Sequence, residues 1–417
     1  MRSPESHLEA VADLIPGYGC HLEWEGDGIP NDYYEQIPLA EAVDRVTTFD
    51  IHAELPSPPF NNSQMDGYAI SDNQLALLPT HLPVGPTIAA GTDPTQLYPQ
   101  GITDEVAPVM TGARLPDNAV AVIPVEKGQP DTFDKTDHYG VDLPATTAGT
   151  FVREEGSDIA VGTLLIERNT KLTPLHIAAL TSQKIETVTV WRKARVVLCT
   201  GGAEIGGEGP ASIPDVNGPL LVQLCEEYGI EPVASIHTND DVVQLRASFE
   251  QTIEQYQPDA IITSGGISHG RFEVIRSLLE GDHAWFGHVD QQPGGPQGLA
   301  VFNDVPVICL PGNPISTLVS FRLFVAPLIG VNAALNDLET VGEIRAVITE
   351  SVEGLSDHRD QFRRGTHRIT EQGTVEATIL GGASSHLLAQ AADADCLIRI
   401  PARASLQPGD MVTIYPL

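Results

Sequence analysis

Basic residues are what this chain lacks. Its 417 residues hold 23 Lys plus Arg against 56 Asp plus Glu, a formal charge of −33. The acids are near ordinary usage, while total charged residues, at 19%, fall below the roughly 25% of soluble domains. The shortage is therefore of cations, and no lysine follows Lys193. A base-poor cytosolic chain accounts for this more simply than a salt-adapted one. With no basic stripe to neutralise phosphates, nucleic acid is not an expected partner. An anionic small ligand would have to be held locally, by backbone N–H groups, isolated arginines or a divalent cation.

Other absences narrow the field. Five cysteines (Cys20, Cys199, Cys225, Cys309, Cys396) are scattered without a CxxC pair, so reduced core thiols are expected rather than a disulfide framework or a metal site. No apolar run approaches the ~18 residues of a membrane span, and Met1 to Ala12 lacks the apolar core of a signal peptide. A cytoplasmic location and no membrane partner are the expectation. There is no GxxxxGK[ST] loop, no GxGxxG opening a helix and no HExxH. The histidines do not cluster at metal-ligand spacing, and no Ser/His/Asp set is indicated.

What is present has a clear order. Residues 7–15 and 38–47 carry helical spacing, with an irregular Gly- and Asp-rich connection over 17–34 between them. From Pro56 to about residue 150, short apolar runs (84–90, 105–110, 119–125) alternate with Pro, Gly and Asp turns, which predicts a small all-β module. From about residue 190 the pattern becomes strand–loop–helix, repeated several times. Such alternation implies a parallel, doubly wound sheet that binds ligands at the carboxyl ends of its strands. After about residue 332 short strands return, forming a second β module.

The richest stretch runs from Asp259 to Ser268. An apolar strand, Ala260 to Ile262, empties into Thr263, Ser264, Gly265, Gly266 and Ser268, and a helical pattern follows. Small residues in such a turn let backbone N–H groups approach an anion closely. Two similar turns follow other strands of the same pattern: Thr200-Gly201-Gly202, and Pro311-Gly312-Asn313-Pro314 before a long apolar helix. Asn at the N-cap with Pro at the first helical position is a helix start. Glu204, Asp215 and Glu273 all fall just after strands or at helix starts, so they can converge at one sheet edge. Several carboxylates near a polyanion usually mean a divalent metal between them, Mg²⁺ above all. Asp215 alone also reads as a plain helix-start residue, Asp66-Gly67 as a hairpin turn, and Thr111-Gly112 as the close of a turn.

Taken together, these segments resemble one family. Residues 56–70 (PSPPFNNSQMDGYAI) resemble the PxFDNSAMDGYA signature of the molybdopterin molybdenumtransferases, the MoeA and gephyrin E-domain family. The likeness continues through VMTGARLPDNAVAVIPVE (109–126), VREEGSDIAVG (152–162), LTPLHIAAL (172–180), CTGGAEI (199–205), PDVNGPLL (214–221), ITSGGISHG (262–270) and LPGNPISTLVSF (310–321). DQFRRG (360–365) and DADCLIRIPARASLQPGDMV (393–412) complete it, in the family's order over about 35–417.

The resemblance implies a multidomain α/β protein with four parts. They are an elongated N-terminal region (1–55 and 150–184), an inserted small β domain (56–149), a doubly wound molybdopterin-binding domain (185–331) and a C-terminal β-barrel (332–417). It implies a transferase of molybdenum cofactor biosynthesis that inserts molybdate into adenylylated molybdopterin and releases AMP, with divalent metal required. It also implies a homodimer, with the site between the molybdopterin domain of one subunit and the inserted domain of the other. Residue by residue, Asp66, Thr111, Asp215 and Glu273 match catalytic positions, and Asp66, Glu204 (after a one-residue insertion) and Asp215 would hold Mg²⁺. Thr200, Gly201, Ser264, Gly265, Gly266, Ser268, Arg271 and the turn Pro311, Gly312, Asn313, Pro314 would bind pterin and phosphate.

Two departures stand out. Arg271 replaces an acid directly after the glycine loop, with Glu273 two positions on. The family's KPGKP appears as Gln292-Pro-Gly-Gly-Pro296, without either lysine. Each charged hydrogen bond lost from an anion site costs roughly 1.5–3 kcal/mol. Either Arg271 restores a charge, or the chain is a paralogue that binds molybdopterin, or acts as a scaffold, without inserting metal. No other substitute for the lysines is evident in this half of the sequence.

Overall fold

The computed structural model describes residues 1–15, 30–135, 140–201, 205, 213–238, 241–267, 273–330 and 342–417. Most of the 17–34 connection lies outside them, as does Cys20.

The N-terminal helix, Pro4–Leu14, starts where Ser3 accepts from the Ser6 N–H and Pro4 takes the first turn. A second helix is expected over 38–47 but does not form. Leu39, Ala42 and Val46 are buried at that spacing, yet only a single 3₁₀ turn, Leu39–Glu41, is present. Asp44 adopts φ 65°, and Val46 and Thr47 bridge to Lys171 and Val190. Pairing with a distant segment overrides the local periodicity. Nearby, Tyr34–Pro38 runs antiparallel to Thr187–Trp191, around a core of Ile37, Ala42, Leu172, Leu180 and Val190.

Between these two segments, Gly67–Ser71 pairs antiparallel with both Ala107–Val109 and Ala119–Pro124. Its residues are buried on both faces, Tyr68 and Ile70 in one cluster and Ala69 in another. This is the small β module that the turn-rich sequence predicts.

The central sheet comprises β1 (Arg195–Gly201), β2 (Glu231–Thr238), β3 (Ala260–Ser264), β4 (Ala284–His288), β5 (Pro296–Phe302) and β6 (Val305–Leu310). Their spatial order is β2-β1-β3-β6-β5-β4. The first four are parallel, but β5 is antiparallel to β6, and β4 to β5. The wholly parallel expectation is thus corrected to a mixed sheet. Side chains alternate between the two faces. Val196, Leu198, Ile262 and Ile308 face one core, with helices α1 (Asn217–Glu227) and α4 (Pro314–Phe324). Val197, Cys199, Ile261 and Cys309 face the other, with α2 (Val242–Tyr256) and α3 (Val274–Leu279). The four described cysteines are free and buried. Burial pushes the Cys225, Cys309 and Cys396 thiols up to about 12, as inert core thiols require.

At the C-terminal end, β7 (Ile344–Ile348), β8 (Asp360–Ile369), β9 (Val375–Ile379), β10 (Cys396–Ile400) and β11 (Met411–Pro416) pair in the closed ring β8-β9-β7-β11-β10-β8. Closure leaves the barrel without a free edge within that ring. Gln291–Gln292 pairs in parallel with Asp360–Gln361 and joins this barrel to the central domain. Arg399 adds a second tie, reaching Glu5 of the N-terminal helix (2.6 Å) and Asp360 (2.5 Å).

Candidate functional site

Four parallel strands end at the carboxyl edge of the central sheet: β2 at Thr238, β1 at Gly201, β3 at Ser264 and β6 at Leu310. The loops after β3 and β6 touch backbone to backbone. Gly265 and Gly266 take φ 93° and 67°, a region side chains disfavour. A Cβ on Gly312 would stand 3.0 Å from the Gly265 Cα. Asn217, at the start of α1, staples the pair: its Nδ2 donates to Ser264 Oγ (2.9 Å) and to Gly312 O (2.7 Å). Thr317 Oγ1 donates to Pro311 O (2.7 Å) and lies 3.0 Å from Ser264 Oγ. All of these side chains are buried, so the loops are fixed before any ligand arrives. Asn217 Oδ1 and Asn313 Oδ1 are buried acceptors with no protein partner.

These loops form one wall of a cavity of about 1320 Å³. Of the sequence-predicted residues, Gly201, Ser264, Gly265, Gly266, Glu273, Pro311, Gly312 and Asn313 line it. Pro314 opens α4 just behind, and Thr200 lies off the wall. Ser268, Arg271 and Glu204 lie outside the described residues.

The opposite wall comes from β4, the turn after it and the barrel: His288, Asp290, Gln292, Gly295, His358, Arg359 and Ser384 to His386. Sequence reasoning missed His288, Asp290, His358, Arg359 and His386. Their nearness depends on the pairing of Gln291–Gln292 with Asp360–Gln361, which no local pattern announces. They also correct one expectation. Arg359 brings a guanidinium to the cavity, so the lysine-free half does contain a nearby cation. It holds Asp357 in a two-pronged pair (2.7 and 3.0 Å) and keeps that carboxyl at about 2. At Gly295 the nearest atoms to an added Cβ are 3.5 Å away, so a side chain fits there.

Asp215 sits on the same sheet edge but does not line the cavity. Its Oδ2 accepts from Thr200 Oγ1 (2.8 Å) and its Oδ1 from Gly218 N (2.9 Å). A Cβ on Gly218 would stand 2.6 Å from Oδ2, so the carboxylate needs that glycine to seat. Each oxygen keeps a free lone pair, and the side chain is a quarter exposed. A carboxylate beside a hydroxyl, open to solvent, suits an oxygen-seeking divalent cation.

Asp66 and Thr111 meet elsewhere. Asp66 Oδ1 accepts from both the Thr111 N–H (2.6 Å) and its hydroxyl (2.7 Å), and these bonds hold the carboxyl below its ordinary range. Both residues are exposed, and neither lines the cavity of its own chain.

Known families match the chain in three stretches. Residues 3–183 match the profile of the "MoeA N-terminal region (domain I and II)", 197–330 that of a "probable molybdopterin binding domain", and 354–417 that of the "MoeA C-terminal region (domain IV)". The chain is 33% identical to molybdopterin molybdenumtransferase 2 of Mycobacterium tuberculosis, over 96% of each chain. The chain belongs to the molybdopterin molybdenumtransferase family. The family's member from Haemophilus influenzae is 30% identical, over 92% of this chain and 93% of its own. The crystal structure of the MoeA protein of Pyrococcus horikosii superposes with a TM-score of 0.76 at 28% identity, covering 99% of this chain and 98% of that one. Family membership fits the mixed sheet, the closed barrel and the glycine loops together, none of which alone would carry it.

Proposed function

We propose that this chain inserts molybdate into the dithiolene of adenylylated molybdopterin and releases AMP. The observation that carries the reading is the pair of stapled glycine loops facing a large polar cavity at the sheet's carboxyl edge. The loops after β3 and β6, with Ser268, Arg271 and Thr200, would cradle the pterin and its phosphate. Asn313 Oδ1, an unpartnered acceptor on the cavity wall, suits the N–H donors of a pterin ring. Asp215, with Glu204, would hold Mg²⁺. When bound, such an ion offsets phosphate charge and polarises the phosphoanhydride.

Asp66 and Thr111 are exposed, away from their own chain's cavity and already held to each other. This supports a homodimer in which they reach the cavity of a second copy, beside Glu273. The protein would work in the cytoplasm on small molecules, without nucleic acid or membrane. Purified protein with adenylylated molybdopterin, Mg²⁺ and molybdate should release AMP. Asp66→Ala and Asp215→Ala should each slow release by about tenfold or more, and wild-type rates in both would overturn the assignment.

A second reading rests on Gln292 and Gly295 standing where the family carries lysines: a molybdopterin-binding paralogue that does not turn over. It requires binding without molybdate-dependent AMP release. Gly295→Lys, which the space at that position accepts, separates the two readings. A large gain in rate would mean a decayed site, and no gain would mean one in which Arg359 and Arg271 already supply the charge.

A further inference from the structure

The structure assigns His237 as a nitrogen ligand for the cation held by Asp215, an assignment that rests on Asp215 binding a divalent metal. His237 is on β2, beside the end of β1, with its Nδ1 3.8 Å from Asp215 Oδ2. Its other nitrogen, Nε2, lies 3.1 Å from the Ile205 carbonyl oxygen. A carbonyl can only accept, so Nε2 carries the hydrogen. In the neutral ring Nδ1 then presents a lone pair to a carboxylate, an arrangement that repels unless a proton or a metal ion lies between them.

An imidazole whose far N–H is anchored on a backbone carbonyl is the usual support for a metal-binding histidine. The separation also suits this: two metal–ligand bonds of about 2.1 Å together exceed it, so one ion can touch both atoms. Thr200 Oγ1, 2.8 Å from the same carboxylate oxygen, completes an N/O/O set. The ring is about half exposed, which leaves an entry path.

The choice of ion follows from the donors. Mg²⁺ takes oxygen and parts reluctantly with water, whereas Mn²⁺, Co²⁺ and Zn²⁺ accept imidazole. This chain should therefore favour a borderline transition-metal ion over Mg²⁺ at Asp215.

The test is calorimetric titration of the full-length protein with Mn²⁺ and, separately, Mg²⁺, on wild type, His237→Ala and Asp215→Asn, without molybdopterin. Wild type should bind Mn²⁺ at least about tenfold more tightly than Mg²⁺. His237→Ala should lose about tenfold or more in Mn²⁺ affinity, as losing a ligand or its support does, and change Mg²⁺ affinity less than about twofold. Asp215→Asn should weaken both. Loss of both ions in Asp215→Asn, with Mn²⁺ affinity intact in His237→Ala, would overturn the role of His237 and leave the metal reading of Asp215 standing. No change in Asp215→Asn would overturn the metal reading itself. An unchanged thermal midpoint in His237→Ala keeps loss of binding distinct from misfolding.

Discussion

The glycine-loop edge and the Asp66–Thr111 pair stand in opposite physical settings. Around the loops, Asn217, Ser264 and Thr317 are buried and bonded to one another and to loop carbonyls. Asp66 and Thr111 are exposed and bonded only locally. The first arrangement is held rigid within one chain. The second is open to solvent. If the proposed function holds, recognition would fall to the central domain, and the acid of the inserted module would wait for an approaching partner.

The sharpest way to break that comparison is complementation between two dead variants. If Asp66 serves its partner's cavity, Asp66→Ala and Asp215→Ala proteins, each nearly inactive, should regain activity when unfolded together and refolded as mixed dimers. Half of the dimers would be mixed, each with one intact site, so recovery should approach about a quarter of wild type. Recovery of nothing would put both residues in one chain's site. Neither Asp66→Ala nor Thr111→Val should change the unfolding free energy from urea melts by more than about 0.5 kcal/mol, because exposed positions rarely do.

The buried side should respond in the other way. Asn217→Ala removes two donors from a buried site, leaving Ser264 Oγ with Thr317 and Pro311 and depriving Gly312 O of its side-chain donor. Unfolding free energy should fall by about 1–3 kcal/mol, and molybdopterin affinity by about tenfold, as the loops lose their fixed spacing. Fluorescence-monitored urea melts and a binding titration would check both. Stability loss with unchanged affinity would mean that the loops are held by their glycines alone.

A third effect lies at the cavity's N-terminal rim, where Met1 lines the wall and Arg2 bridges Val289. His7 is fully buried there against Trp285 and Phe324, with no hydrogen-bond partner for either ring nitrogen. Burial, and then the charge of Arg2, pull its pKa down to about 3. A base whose folded pKa is depressed binds protons better when unfolded, so its stabilising contribution is present above about pH 6.5. That contribution is lost as pH falls towards 3, at about 1.4 kcal/mol per unit. Between pH 7 and 5 the His7→Phe protein should therefore lose about 2 kcal/mol less stability than wild type. Parallel losses would show that His7 is not the titrating group.

Much of this was legible in the sequence, for reasons tied to particular residues. Strand–loop–helix spacing is local, so β1, β3 and β6 and their glycine turns could be read from Val196 to Cys199, Ala260 to Ile262 and Val305 to Leu310. Turn-rich short strands announced two small β modules, while the closed barrel and the insertion followed only from the resemblance. The hairpin of β4 and β5 was hidden because its packing is by contrast of size: the Phe286 ring lies over Gly298, where an added Cβ would stand 2.5 Å from it. The 38–47 helix failed because its apolar spacing served a pairing with Lys171 and Val190. The cavity's far wall, with Arg359 and His358, was invisible because a two-residue parallel pairing sets it, far from the glycine loops in sequence.

Salt should move the two settings apart, with the smallest effect of the series. A chain of net charge −33 repels itself when compact, and screening relieves this. Raising NaCl from 0.1 to 1 M should stabilise the fold by about 1–2 kcal/mol, which at this size shifts the thermal midpoint by about 1–2 °C. The cavity, where Arg359 sets a guanidinium against that background, should respond with the opposite sign. Its hold on an anionic pterin phosphate should weaken as the same salt screens the attraction. Stability and affinity would then diverge along one salt series, measured by scanning calorimetry and by ligand titration. If both rose together, the loops' backbone N–H groups would be the main anion holders, and the Arg359 guanidinium would contribute little.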